Sequence, residues 1–551
     1  MPTGAPPSRS PLRRPATWLP LLVAAALVAG VLIGMQLAAG ETAVDETGEL
    51  PPANGQGKLE ELIRYVEAKY VDEVDREALV QKTIDHLLGQ LDPHSNYISR
   101  EDLLEVNEQL DGSFVGIGIE YMIVDDTIVV VAPLADGPSA NQGILAGDQI
   151  VTINDTLVAG VDISSPEIVG LLRGEKGTQV DIGVLRRGLA EAQDYTITRD
   201  EIPNRSVDVA YMLDDETGYV KLNRFSATTY DEFMNALKVM IEEEGMEDLV
   251  IDLRHNPGGY LQEATKILSQ LFPEKGRTLV YTEGRAVGRH DYDTNGKPLF
   301  DIDEVAVLID EGSASASEIV AGAVQDYDRG VIIGRRSFGK GLVQEQYRLK
   351  DGSALRLTVA RYYTPSNRSI QRPYDDAAGY REDAGERLSS GELVSADSIR
   401  VLDSTEYYTA GNRVVYGGGG ITPDVFVPLD TAQLDPLFLA LRRRLPEYAY
   451  RYAAAEADRY AELSLDAFAA TRLPDAAYTD FLDFARTDGV RWTEAELRPL
   501  RADLQRYLKA RIARQFYGEE GFYTIFNQQD EAVLRALEKL GGSSSTLRAE
   551  R

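Results

Sequence analysis

Three serines crowd one turn of this 551-residue chain: Ser313, Ser315 and Ser317, within Gly312 to Glu318. A serine hydroxyl is a weak nucleophile at its own pKa and needs a base to activate it. Histidine is the commonest base, but the chain holds only His86, His94, His255 and His290, none of them in the stretch from Val305 to Gln344. Lys340 lies within it. A lysine serves as base when burial disfavours its charged form and lowers its pKa toward neutrality. Gln344 follows four residues later, on the same face of a strand and nearly so of a helix, where its amide can orient the amine. One serine of this turn, with Lys340 and Gln344, could therefore make a set of nucleophile, base and orienting group. The serines have a plainer use as well: Ser315-x-x-Glu318 is a capping-box pattern, and serine is a preferred N-cap. Gly334 to Lys340 also has the G-x-x-x-x-G-K spacing of a phosphate loop. Gly341, however, stands where a serine or threonine should hold magnesium, and the residues after it read as strand, so an ATPase is disfavoured.

These residues need elements to position them. Val305, Val307, Leu308 and Ile309 form an apolar run that reads as a buried strand. A turn of small residues follows, then a helix from about Ser317 through Ala323. A second β-branched run, Val331 to Ile333, leads into the glycine-rich turn that carries Lys340. The alternation also occurs earlier in the chain. Gly218–Ser226 reads as a strand, Thr229 to about Glu243 as a helix and Leu249–Arg254 as a buried strand, before a turn and another helix. Strand–helix repetition predicts a layered α/β core, with its chemistry at the carboxyl ends of the strands.

The segment GSASASEIVAGAVQDYDRGVIIGRRSFGKGLVQ resembles the carboxyl-terminal processing peptidases, also called tail-specific proteases. So do Leu91–Ile98, Asn256-Pro257-Gly258-Gly259, Thr364–Gln371 and Gly417–Val427, so the resemblance runs from about Leu91 to Val427. It implies a serine peptidase, independent of histidine, metal and cofactor, with Ser315 as nucleophile, Lys340 as general base and Gln344 orienting the lysine. It further implies an oxyanion site from the backbone N–H of Gly258 or Gly259 together with that of Ala316, in a ClpP/crotonase-like α/β core. His94 and His255 are expected to be structural. Asn367 replaces the glycine of the family's TPSGRSIQ, and asparagine tolerates left-handed angles, so that turn is expected to survive.

Residues 111–200 read as a β-rich domain. FVGIGIEY (Phe114–Tyr121), an alternating strand at Thr127–Val131, Pro138–Asp155 and a helix over Pro166–Gly174 together resemble a PDZ domain. Such domains add a ligand strand to a sheet edge. Here the N–H groups around Gly116, Ile117, Gly118 and Ile119 would hold a terminal carboxylate. The partners so implied are proteins with exposed, apolar C-termini.

Composition bounds the remainder. Lys plus Arg number 57 against 89 Asp plus Glu, a net charge of −32, which argues against nucleic-acid binding. With no cysteine there is no disulfide, zinc–thiolate site or thiol nucleophile. Arg9, Arg13 and Arg14 precede an apolar run from about Trp18 to Ala39. That run is long enough to cross a bilayer, which takes about 20 residues, and longer than the roughly 7–15 of a cleaved signal core. Residues 1–40 are thus expected to be a signal anchor, or a removed signal cut near Ala38 to Gly40. Either places the protein in the bacterial cell envelope, anchored in the inner membrane or exported, on the periplasmic side. Residues 41–57 read as a linker and 58–110 as helical, a region that pairs subunits in the family and so implies a homodimer; an adaptor protein is a further expected partner. Residues 201–430 form the expected peptidase core, within which 375–401 read as a polar insertion or mobile loop. Residues 431–551 read as helices to about Leu540, with no function assigned. The main competing function is a silent PDZ scaffold that binds tails and cleaves nothing.

Overall fold

The computed structural model describes residues 56–134, 137–460 and 462–541. The expected leader at 1–40, most of the expected linker at 41–57 and the last ten residues lie outside that range. The chain divides into two compact units, residues 1–87 and 88–551. In the first, helices Gln56–Lys69 and Arg76–Leu88 are tied by Arg76, whose guanidinium donates to Glu60 and Glu67 at 3.0 and 2.8 Å. Leu59, Leu62 and Tyr65 on these helices are half or more exposed.

The second unit holds the α/β core. Its six-stranded sheet runs Val207–Met212, Thr217–Leu222, Asp248–Asp252, Val305–Ile309, Val331–Gly334 and Val425–Phe426 in spatial order. The first pair is antiparallel and the rest are parallel. The three central strands are buried at every residue, as parallel strands covered on both faces must be. Successive side chains alternate between faces. Val220, Ile251, Val307 and Ile309 meet the helices Thr229–Glu244, Leu261–Leu271 and Ala316–Asp326. Tyr219, Val250, Ala306 and Leu308 meet Ala532, Val533 and Ala536 instead. The latter belong to the helix Glu531–Lys539, so the far end of the chain closes the back of the catalytic sheet.

A second sheet joins Asn96–Ile98, Ala354–Tyr363, Lys275–Gly284 and Gly288–Asn295, with Leu342–Arg348 also pairing Ala354–Tyr363. It sets the Leu91–Ile98 segment against Ala354–Tyr363, the strand that on its other side pairs the strand carrying Gln344. The β-rich domain forms its own sheet, with Ile119–Val124 as an edge strand and the helix Ser165–Leu172 packed through Ile168 and Leu172.

Residues 375–401 differ from expectation. They contain the helix Ala377–Ser389, and Arg387, Glu392 and Leu393 are each only 3% exposed. Glu392 accepts hydrogen bonds from Arg336 and Arg387, both at 2.7 Å, and Arg387 also donates to the Arg336 carbonyl at 2.5 Å. Part of the polar composition that suggested a mobile loop is a buried cluster, two arginines around one carboxylate, that holds the turn before Lys340. From Pro436 to Asn527 the chain is helical as expected, around an aromatic cluster that includes Phe438, Tyr460, Phe468 and Phe481.

Candidate active site

The turn between Ile309 and Ala316 separates its three serines by environment. Ser313 and Ser317 are fully buried and donate to the carbonyls of Leu253 and Asn256 at 2.8 and 2.9 Å. Ser315 alone is partly exposed. It sits at the helix N-cap with φ 54° and ψ −111°, a left-handed conformation that costs a non-glycine residue about 1–3 kcal/mol and persists only where its surroundings impose it. Several contacts impose it. The Ser315 carbonyl accepts the Tyr362 hydroxyl at 3.1 Å, and the Ser315 N–H donates to Glu318 at 2.8 Å. The expected capping box is therefore present. The Ser315 hydroxyl meets the box spacing but makes no full cap hydrogen bond, so the residue is not consumed by capping.

Glu318 does more than cap. Its Oε2 accepts the main-chain N–H of both Ser315 and Lys340, at 2.8 and 2.9 Å. Its Oε1 accepts the Gly339 N–H at 2.7 Å and the Ser337 hydroxyl at 2.5 Å. Burial raises the carboxyl pKa, against the pull of those donors. The same contacts bear on the phosphate-loop reading, because two N–H groups of Gly334–Lys340 are already spent on an internal carboxylate. A strand, Leu342–Arg348, follows that loop.

The Lys340 amine donates to Gln344 Oε1 at 3.1 Å, and Gln344 Nε2 in turn donates to the His94 carbonyl at 2.6 Å. Burial, and then the nearby charge of Arg356, lowers the lysine pKa, while Glu318 and Asp92 oppose the shift. His94 itself is a poor base. Burial and then Lys340 push its pKa down to about 4, and its Nε2 lies 2.7 Å from the Tyr380 hydroxyl. His255 is committed elsewhere, with Nδ1 2.9 Å from the buried Asp310 carboxylate, whose contact raises the imidazole pKa.

The loop Leu253–Gly259 runs alongside the serine turn. Asp310 Oδ1 accepts the N–H of both His255 and Gly312, at 2.8 and 2.9 Å, and the Asn256 carbonyl accepts Ala314 N–H at 3.0 Å. Gly258 and Gly259 have φ of +95° and +146°, values that require glycine. A Cβ on Gly258 would stand 2.8 Å from Ser315 Cβ and 2.9 Å from Ala316 N, so this loop and the helix start lie in contact. The two glycine amides are not equivalent. Gly258 N–H donates to Asn256 Oδ1 at 2.9 Å, whereas the N–H groups of Gly259 and Ala316 have no acceptor among the described residues.

In the β-rich domain the Ile117 carbonyl accepts Ser139 and the Gly118 carbonyl accepts Leu134, each N–H at 3.0 Å. The N–H groups of Ile117 and Gly118 have no acceptor among the described residues. Gly116 pairs with Asp200 in a two-stranded ladder, and Ile119 lies in the edge strand. Sequence reasoning gave Asp310 no role, named Asn256 only as part of the Asn-Pro-Gly-Gly segment, and saw Glu318 only as a cap. Their hydrogen-bond partners lie 55, 61 and 22 residues away, and no local pattern announces such pairings.

The chain is similar to several known proteins. Peptidase family S41 matches residues 216–377, a PDZ domain matches 115–196, and a family of unknown function matches 438–518. A carboxy-terminal-processing protease of Bartonella bacilliformis is 37% identical over 350 residues, covering 62% of this chain and 79% of its own length. A carboxy-terminal processing protease of Bacillus subtilis is 34% identical over 319 residues, covering 57% and 65%. A solved photosystem II D1 C-terminal processing protease aligns over 72% of this chain and 92% of its own at 26% identity, with a TM-score of 0.35. The chain belongs to peptidase family S41, as a PDZ-containing carboxy-terminal processing peptidase of the serine type.

Proposed function

We propose that the serine endopeptidase activity runs on Ser315, Lys340 and Gln344 and acts on protein tails presented by the PDZ domain. The observation that carries this reading is the shared Glu318 oxygen, which holds the main chain of Ser315 and Lys340 together from two separate loops. As Ser315 Oγ attacks the scissile carbonyl, the neutral Lys340 amine takes the hydroxyl proton. The resulting oxyanion is held by the N–H groups of Gly259 and Ala316, and loss of one such donor costs about a hundredfold to a thousandfold. The lysine ammonium then gives its proton to the leaving amine, the C–N bond breaks, and an acyl ester remains on Ser315. Water, deprotonated by Lys340, cleaves that ester and regenerates the serine. Gln344 positions the amine throughout. Ser315 Oγ and Lys340 Nζ share no hydrogen bond in this structure, which supports reading the arrangement as a resting one that closes when a tail docks.

The tail adds to the edge strand Ile119–Val124, its carboxylate on Ile117 and Gly118 N–H and its apolar end near Ile117, Ile168 and Leu172. The parallel core with helices across one face supports a ClpP/crotonase-like architecture. The apolar side chains exposed on the N-terminal helices support a homodimer. The basic-then-apolar leader at 1–40 supports an envelope location with residues 18–39 in the membrane, facing the periplasm. An adaptor protein is the remaining partner of this reading.

The test is cleavage of an unstructured protein with an apolar C-terminus, in chelator and without nucleotide, by the wild type, Ser315→Ala and Lys340→Ala. Cleavage by the wild type alone is expected. Tail binding with no cleavage would favour the scaffold, and a nucleotide requirement would favour the ATPase.

A further inference from the structure

The loop that carries Gly258 and Gly259 leaves the strand Asp248–Asp252 through Arg254, and every polar group of Arg254 is held. Its N–H donates to Asp252 Oδ1 at 2.9 Å, and its Nη2 donates to Asp252 Oδ2 at 2.6 Å. Its carbonyl accepts the Lys221 amine at 2.5 Å. Nη1, on the other edge of the guanidinium, donates to both oxygens of Asp530 at 3.0 and 2.9 Å. Asp252 is 1% exposed and is also claimed by the Tyr219 hydroxyl at 2.7 Å and the Lys221 amine at 3.2 Å. The cluster thus balances two cations against two carboxylates, and Asp530 is the carboxylate that pairs with Arg254 alone.

Asp530 is itself a fixed point. It is the N-cap of the helix Glu531–Lys539, accepting Ala532 and Val533 N–H at 3.0 and 3.1 Å. That helix is packed on the back of the sheet through Ala532, Val533 and Ala536. Three residues earlier, the Asn527 amide donates to the Tyr211 hydroxyl at 2.9 Å. In front of Arg254, the Asn256 carbonyl accepts Ala314 N–H and the Ser317 hydroxyl, and the Asn256 amide oxygen accepts Gly258 N–H. A displacement of Arg254 therefore passes to the glycine amides and to the serine turn together.

We propose that Asp530, acting through Arg254, is a positioning residue for the oxyanion-side loop, so that the C-terminal end of the chain belongs to the catalytic architecture. The proposal rests on the Ser315–Lys340 reading above. Asp530 lies beyond the stretches that match either the S41 family or the family of unknown function, so neither match covers this role.

The decisive variant is Asp530→Asn in the full chain. Asparagine caps helices as well as aspartate does, so the helix keeps its start while Arg254 keeps Asp252 but loses the second of its two carboxylate partners. The expected result is a fall in kcat of between about tenfold and a hundredfold, the cost of a small misplacement at a reacting centre. KM for a protein with an apolar tail is expected to stay unchanged, because the PDZ groove is untouched. Asp530→Glu, which restores the charge, is expected to recover most of the lost kcat. Arg254→Gln, which leaves the helix cap intact, provides a second route to the same loss. The double variant is expected to be no worse than Arg254→Gln alone, since that variant already removes the Asp530 contact together with the Asp252 pair. Wild-type kcat in Asp530→Asn would overturn the proposal. So would additive losses, or a loss accounted for entirely by the fraction of molecules that have unfolded. Ser315→Ala serves as the control: activity there would contradict the reading of the site itself.

Discussion

The stretch from Val305 to Gln344 and the helices from Pro436 to Lys539 both build the catalytic sheet's surroundings, but their constraints differ. The first must set backbone atoms at defined points. Ser315 holds a positive φ, and Gly334 and Gly339 hold φ of +127° and +89°; a Cβ on Gly334 would lie 2.0 Å from the Ile309 carbonyl oxygen. Few residue types satisfy such positions, so the chemistry leaves a motif. The helices are held by an aromatic cluster of interchangeable contacts, among them Phe438, Tyr460, Phe468 and Phe481. Many sequences pack as well, and no catalytic motif results, although a family of unknown function matches 438–518. The residue among them that bears on catalysis, Asp530, looks like an ordinary helix cap until its partner Arg254 is seen 276 residues away.

That contrast can be broken or sharpened by substitution. Ser315→Ala is expected to lower kcat by more than about a thousandfold, since nothing replaces the nucleophile, with the unfolding midpoint unchanged in a thermal melt. Gly259→Ala comes next. Its Cβ would stand 2.0 Å from the Phe225 carbonyl oxygen, so the loop must move, and a loss of about a hundredfold in kcat is expected from the displaced N–H. Phe481→Ala inverts the pattern. This fully buried side chain should cost about 3–5 kcal/mol of stability in denaturant titration and leave kcat within about twofold in the molecules that remain folded. A motif residue whose loss acts through stability, or a cluster residue whose loss acts through kcat, would dissolve the distinction.

The smallest effect concerns pH. Lys340 must be neutral to accept the serine proton, so kcat/KM should be lost as pH falls through its lowered pKa and be fully present above it. Because the Arg356 charge helps lower that pKa, Arg356→Gln should move the limb to higher pH. A shift to lower pH would contradict the assignment of the limb to Lys340.

Local pattern was enough for the strand–turn–helix around Ser315 and the Lys340–Gln344 spacing, because each rests on residues close in sequence; the PDZ domain was legible through resemblance. It was not enough for the Asp310 and Glu318 hydrogen-bond hubs, whose partners arrive from other loops. Nor was it enough for 375–401, where a buried Arg336–Glu392–Arg387 set has the composition of a solvated loop. The choice between Gly258 and Gly259 also needed coordinates, since only the structure shows the Asn256 side chain consuming one of the two amides.

The most direct test of the central claim is mass-spectrometric mapping of the full chain after reaction with a fluorophosphonate, which forms a stable ester with an activated serine. The account predicts a single adduct, on Ser315, absent from Ser315→Ala and formed far more slowly in Lys340→Ala. An adduct on Ser313 or Ser317, or labelling of Lys340→Ala at the wild-type rate, would contradict it.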